Sequence, residues 1–187
     1  MTLDIKQAVE VLRQGGVILY PTDTIWGIGC DATCEAAVQR VYDIKKRVDS
    51  KALLVLVDSA AKLQGYVDEV PDVAWDLIEL SEKPLTIIYS GAKNLAKNLV
   101  AEDGTVGIRI TNEVFSKRLC EAFRKPIVST SANISGNPSA SCFQEISEEI
   151  VAAVDYVVGY RQDDVTPVVP SSIIKLGVNG EVKIIRP

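Results

Sequence analysis

Ile127-Val128-Ser129-Thr130-Ser131-Ala132-Asn133-Ile134-Ser135-Gly136-Asn137-Pro138-Ser139 is the stretch on which the reading of this chain turns. Two β-branched residues behind Pro126 predict a short buried strand. The chain then changes abruptly to hydroxyls, amides, a glycine and a proline. That composition predicts the end of the strand and an immediate turn. A strand that opens into such a loop is where α/β proteins bind ligands, at the carboxyl ends of strands. Turn chemistry by itself explains any one of these Ser, Thr or Asn residues. The run holds more of them than a turn requires.

Outward from it, residues 114–123 are amphipathic with helical spacing and deliver the chain to the loop. Before them, residues 105–110 read as a strand carrying Arg109. A buried arginine there needs an anionic partner; otherwise it faces outward on an exposed sheet face. Residues 84–89 form a β-branched strand, and residues 60–66 and 73–80 are helical. Residues 90–103 have no clean period beyond one helical turn near Leu95. The unbroken apolar run at 52–57 predicts a buried, central strand.

The first thirty residues predict a helix ended by Gly15-Gly16, a strand at 17–20, the polar insert Thr22-Asp23-Thr24 and a second strand at 25–30. In that strand Gly27 and Gly29 leave one face bare, for a bulge or for close approach by a ligand or another strand. Asp31 or Thr33 is expected to cap the next helix, which ends in Lys45-Lys46-Arg47. Those cations complement the helix dipole, or they form, with Lys51, a corner for phosphates. After the central loop come a helix at 146–154, a strand at 156–158, and strands at 171–176 and 182–185 joined through Asn179-Gly180, a hairpin signal. The polar, proline-flanked segment 159–169 is expected to close over a site near Ser171. The expected fold is a single α/β domain, residues 1–187, with a twisted mixed parallel and antiparallel sheet flanked by helices.

The 187 residues carry a net charge of −5 and are 47% hydrophobic, enough for a sizeable core and against a general nucleic-acid coat. The sequence contains no histidine, which excludes Ser-His-Asp and Cys-His catalysis and imidazole bases. Cys30, Cys34, Cys120 and Cys142 form no CxxC pair and are expected as small buried hydrophobes. Met1-Thr2-Leu3-Asp4 runs directly into a helical pattern without signal-peptide character. No apolar run is long enough to span a bilayer. We therefore expect a cytoplasmic protein without a membrane partner.

There is no Walker loop, and Gly27-Ile28-Gly29 lacks the helix context of a dinucleotide fingerprint. What remains is a set of cations (Lys45, Arg47, Lys51, Arg109, Arg186) and hydroxyl-rich corners (Thr22 and Thr24, Ser129 to Ser139, Ser171 and Ser172). Cations and hydroxyls without histidine suit a phosphate-bearing ligand that is positioned and neutralised rather than attacked covalently.

Three motifs carry a resemblance. Tyr20-Pro21-Thr22-Asp23-Thr24-Ile25-Trp26-Gly27-Ile28-Gly29 resembles the YPT(E/D)T-x-(Y/W)GLG segment of the YrdC-like L-threonylcarbamoyladenylate synthases, Lys45-Lys46-Arg47 their KxR motif, and Ser131-Ala132-Asn133 their SxN motif. The order and spacing match, over nearly the whole chain. The resemblance implies a short, single-domain form that makes threonylcarbamoyl-AMP and pyrophosphate from L-threonine, bicarbonate or CO2 and ATP. That product is the activated intermediate for N6-threonylcarbamoyladenosine in tRNA, which a separate threonylcarbamoyl transferase complex installs. It implies ATP contacts at Lys45, Arg47, Lys51, Thr105, Ser131, Asn133, Ser139 and Arg186, with Lys45, Arg47, Ser131 and Asn133 at the chemistry. It implies threonine contacts at Thr24, Arg109, Ser129 and Ser171, with Arg109 on the carboxylate. Mg2+ is expected to be held mainly by the ATP phosphates, with no protein-built metal site. The sequence departs from the family at Arg109-Ile110-Thr111, where R-x-P is usual, and at Leu56, near a common histidine. Competing readings are an RNA-binding module of the same fold and a relative acting on another amino acid or carbamate.

Overall fold

The computed structural model describes every residue except 47–52, 167, 169 and 178. Side-chain alternation along the central strands decides the architecture. In β5 (Val106–Ile110), Val106 and Ile108 enter the main core, while Gly107 and Arg109 face the other way. In β3 (Leu54–Val57) and β4 (Leu85–Tyr89), Val55, Val57, Ile87 and Tyr89 join that core. Their alternates Leu54, Thr86 and Ile88 share the face of Arg109.

Among the described residues, nine strands form one sheet in the order β7-β1-β2-β6-β3-β5-β4-β8-β9. The other strands are β1 (Ile18–Tyr20), β2 (Gly27–Gly29), β6 (Ile127–Ser131), β7 (Tyr156–Val157), β8 (Ser172–Leu176) and β9 (Val182–Arg186). Pairings β1–β7, β3–β5 and β4–β8 are parallel, and the others antiparallel. The mixed sheet and the central place of β3 are therefore as expected.

The two faces are covered unequally. Helices α2 (Glu35–Ile44), α3 (Asp72–Leu80) and α5 (Glu148–Ala153) supply Ala37, Val38, Val41, Ala74 and Ile150 to the core on one face. On the other, α1 (Thr2–Arg13) packs on α4 (Val114–Phe123). Leu12, Phe115 and Leu119 there cover Ile18, Tyr20, Leu56 and Ile127. This second layer stops over β3, and the rest of that face, across β5, β4 and β8, lies open over a cavity.

Several expectations are corrected. The strand opened by Ile127 and Val128 does not end there: β6 runs on through Ser129, Thr130 and Ser131. Its second half is held by β2, with Gly27 opposite Ser131 and Ile28 opposite Thr130. Its first half also pairs with β3, Leu54 lying opposite Ser129. Backbone pairing on a neighbouring strand overrides the weak strand propensity of serine. The turn comes at Asn133, whose Nδ2 donates to Ile134 O and Asn137 O. Helix α2 is capped neither by Asp31 nor by Thr33: its N-cap is Cys34. Asp31 Oδ1 instead accepts from Thr33 N and Thr33 Oγ1. No basic residue lies in the last turn of α2. Lys45 is the C-cap, and Lys46 has φ 49°. Residues 60–65 form a 3₁₀ turn, and 90–103 hold turns without a helix. Cys30 and Cys120 are buried but Cys34 and Cys142 only partly so, and all four are free thiols. The bare face at Gly29 serves close packing of strands: a Cβ there would lie 2.7 Å from Val128 O and 2.6 Å from the Tyr20 ring.

Candidate active site

The open part of the sheet floor lines a cavity of about 340 Å³, inside the range of about 300–1,000 Å³ typical of small-molecule sites. Each strand contributes through its alternation. Ser129 and Ser131 come from β6, Gly107 and Arg109 from β5, and Thr86 from β4. Thr105 precedes β5, Ser171 precedes β8, and Thr24 and Ser139 come from the loops after β1 and β6. The cavity thus lies over the face of the sheet, not along carboxyl ends alone as expected. In a mixed sheet no single edge gathers all those ends, and β5 and β8 serve the site from their amino ends.

Arg186 reaches the cavity through an irregularity. Ile184 pairs with Ile174, which belongs to the core face. Regular alternation would place Arg186 on that face too. The register shifts between Ile173 and Ile174, so that Arg186 pairs with Ile173, whose face lines the cavity. A bulge of this kind re-aims one side chain. Arg186 Nε then donates to Ser171 O at 2.9 Å.

Arg109 is 3% exposed, which settles its two readings in favour of a buried, paired guanidinium. Its Nη2 lies 3.0 Å from Asp23 Oδ1. The pair is close but poorly aligned, since Asp23 Oδ1 and Arg109 Nε both lack a hydrogen-bond partner. Burial pushes the Asp23 carboxyl above its ordinary range, and Arg109 pulls it back. Burial lowers the Arg186 guanidinium, and the charge of Arg109 lowers it further. Two guanidiniums thus share one cavity and repel each other, an arrangement that an anionic ligand relieves.

The hydroxyls have definite roles. Thr22 Oγ1 donates to Ile25 O at 2.8 Å and accepts from Thr24 N at 3.0 Å. It also lies 3.1 Å from Thr24 Oγ1. With the Thr22 proton committed to Ile25, Thr24 donates to Thr22 and offers its lone pairs as acceptors. Thr105 Oγ1 donates to Asp103 Oδ1 at 2.6 Å, and Lys175 Nζ holds the other oxygen of Asp103 at 2.7 Å. Lys175, with Thr105 after it, pulls the Asp103 carboxyl down to about 2.

Lys45 and Asn133 sit beside the cavity. Lys45 is 3% exposed. Its ammonium donates to Ser131 O at 2.5 Å and Asn133 O at 2.7 Å, tying the end of α2 to the loop after β6. Asn133 lines a smaller adjoining cavity of about 220 Å³ that shares Ser139 with the first. Its Oδ1 is buried without a hydrogen-bond partner. Arg47 and Lys51 lie outside the described residues. The base of segment 159–169 is fixed by Arg161, which pairs with Asp164 at 2.8 Å and reaches Thr22 O at 3.3 Å.

Eight residues singled out from the sequence therefore meet in one cavity: Thr24, Thr105, Arg109, Ser129, Ser131, Ser139, Ser171 and Arg186. Sequence reasoning passed over Asp23 and Thr86. The signal for Thr86 was its alternation with Ile87 in a strand whose neighbour carries Arg109. For Asp23 it was a carboxylate between two threonines. Among the described residues, no three His, Cys, Asp or Glu side chains cluster as metal ligands.

The Sua5/YciO/YrdC family, described as "Telomere recombination", matches residues 10–187. A threonylcarbamoyl-AMP synthase of Pseudoalteromonas translucida is 36% identical over 181 residues, 95% of this chain and 95% of that protein. Sua5 of P. abyssi, solved in complex with L-threonine, superposes with a TM-score of 0.87 at 26% identity. The match covers 98% of this chain and 53% of that one, so this chain spans about half the length of Sua5. YciO of E. coli superposes with a TM-score of 0.84 at 28% identity, over 97% of this chain and 87% of that one.

Proposed function

The chain belongs to the Sua5/YciO/YrdC family, and on that premise we propose that it is a threonylcarbamoyl-AMP synthase. The reaction joins L-threonine, CO2 and ATP into threonylcarbamoyl-AMP and pyrophosphate, an adenylyl transfer; where bicarbonate supplies the carbon, one water is released as well. The observation that carries this reading is the pair Arg109 and Arg186, facing one cavity of hydroxyls in a chain without histidine.

The chemistry asks little of the protein beyond alignment and charge neutralisation. The threonine amine adds to CO2 and loses a proton, giving a carbamate. A carbamate oxygen then attacks the α-phosphorus, and the bond to the bridging oxygen of pyrophosphate breaks. Arg109 takes the amino-acid carboxylate through donors that Asp23 leaves unused, with Ser171 and Ser129 beside it. Thr24, an acceptor by its hydrogen bonding, takes the amine. Arg186, with Lys45, Arg47 and Lys51, counters the phosphate charge. Thr105, Ser131, Asn133 and Ser139 complete the nucleotide side, where the unpartnered Asn133 Oδ1 is an acceptor for a hydroxyl or amino group.

The cavity's donors are guanidiniums and hydroxyls, a set that does not fit a hard divalent cation held by the protein. Mg2+ belongs to this proposal as the companion of the ATP phosphates, and no step is assigned to it. The product would pass to a threonylcarbamoyl transferase complex acting on tRNA in the cytoplasm.

Pyrophosphate release from ATP and bicarbonate, with each amino acid in turn, tests the proposal. Threonine-dependent release that falls at least about 100-fold in Arg186→Ala and in Asn133→Ala is expected. Release with a different amino acid moves the assignment to another substrate. No release with any amino acid refutes it and leaves the RNA-binding reading, tested by affinity against salt.

A further inference from the structure

Thr86 lies on the cavity face of β4, directly opposite Arg109 in the register of β4 and β5. It is 1% exposed. Its Oγ1 lies 2.8 Å from Ser171 Oγ, with either atom geometrically able to donate. Both hydroxyls are buried, Ser171 at 2% exposed, so burial does not set the direction. With Thr86 as the donor, Ser171 Oγ is its acceptor. Arg186 Nη2, which only donates, makes a longer contact of 3.5 Å with the same Ser171 oxygen. Arg186 Nε meanwhile fixes the Ser171 backbone through its carbonyl. With Thr86 donating, both Thr86 and Arg186 face Ser171 Oγ as donors, and its own O–H is left for an acceptor in the cavity that Ser171 lines.

We propose that Thr86 is a positioning residue: it fixes Ser171 as a hydrogen-bond donor beside the Arg109 guanidinium and so sets the affinity for the carboxylate of the amino-acid substrate. The proposal rests on the reading that this cavity takes an amino acid. It assigns Thr86 no contact with the substrate. The donor pair it creates, Ser171 O–H beside Arg109, selects an anionic oxygen and rejects an ammonium group. The nucleotide side is reached through Arg186, whose bond to the Ser171 carbonyl does not require Thr86.

The test is steady-state pyrophosphate release, varying threonine at saturating ATP and bicarbonate, then varying ATP at saturating threonine. Thr86→Val keeps the β-branched shape and removes the donor. KM for threonine should rise about tenfold, while KM for ATP stays within about twofold. Thr86→Ser restores the hydroxyl and should bring KM for threonine back to within about threefold of the parent. If the valine variant does not fold, Thr86→Cys, a weak donor of similar size, carries the same expectation. A competent parent whose Thr86→Val variant keeps its KM for threonine overturns the inference alone. So does an equal rise in both KM values that serine does not rescue, which marks a purely structural residue. A parent with no threonine-dependent release overturns the functional reading, and this inference with it.

Discussion

Gly27 and Gly29 occupy alternate places on one short strand, yet substitution should damage different properties at each. A Cβ built on Gly29 would stand 2.6 Å from Tyr20 Cε1, 2.7 Å from Val128 O and 3.2 Å from Ile127 Cγ2. The nearest two separations are shorter than side chains tolerate, so something must move. Tyr20 is fully buried, and its hydroxyl donates to Val128 O. Val128 is held on both sides, by the hydrogen bond that its N–H donates to Cys30 O at 2.9 Å and by its pairing with Val55. Neither obstacle can swing away, so Gly29→Ala should cost about 1–3 kcal/mol, toward the upper end. The lower entropy of the unfolded alanine chain offsets about 0.4–1 kcal/mol of that. For a chain of this length, a net loss near 2 kcal/mol lowers Tm by about 4–8 °C. On Gly27 the same Cβ would meet Ser129 Oγ at 3.2 Å and Thr22 Cγ2 at 3.4 Å. The Ser129 hydroxyl can rotate, so the stability cost of Gly27→Ala should stay below about 1 kcal/mol. Ser129 lines the cavity, so its displacement should raise KM for threonine. Thermal unfolding of both variants without ligands, with pyrophosphate kinetics on the same preparations, separates the two effects. A Gly29→Ala protein as stable as the parent, or a Gly27→Ala protein that loses more stability than Gly29→Ala, would refute the packing argument.

Other consequences follow from the charges. Arg109→Met strands the largely buried Asp23 carboxylate and should cost about 3–5 kcal/mol at neutral pH by urea unfolding, with Asp23→Asn in the same chain restoring part of it. Because burial raises Asp23, the native state favours its protonated form, and stability falls as pH rises from the ordinary carboxylate value through the raised one. Without Arg109 that decline should steepen; an unchanged pH profile in Arg109→Met would argue against the pair. Asp103 has the opposite sign. Lys175 and Thr105 hold it down to about 2, so its contribution is present above its ordinary value and is lost as pH falls toward 2. Lys175→Met should flatten acid unfolding in that window, by less than about 1 kcal/mol because the pair is solvent-exposed.

Much of this protein is legible in its sequence because the governing signals are local. Helix α4 occupies the residues its apolar spacing marked, β3 lies at the centre of the sheet as its unbroken apolar run required, and Asn179-Gly180 turns the β8–β9 hairpin. The quoted motifs hold Thr24 and Ser131, and the family resemblance they carry pointed to the other six of the eight side chains that meet in the cavity. What the sequence could not decide depends on partners distant along the chain. Serines continue β6 only because β2, some hundred residues earlier, pairs with them. Lys45 is turned toward the carbonyls of Ser131 and Asn133 by a loop that no local pattern connects to it. Whether Arg109 met water or a buried partner depended on the loop after β1, which brings Asp23 Oδ1 to 3.0 Å from its Nη2. Arg186 joins it only through a register shift in the last hairpin, an event of strand pairing that composition does not record. Periodicity determines which residues share a face of an element, and tertiary packing alone determines whether that face meets a helix layer or a ligand.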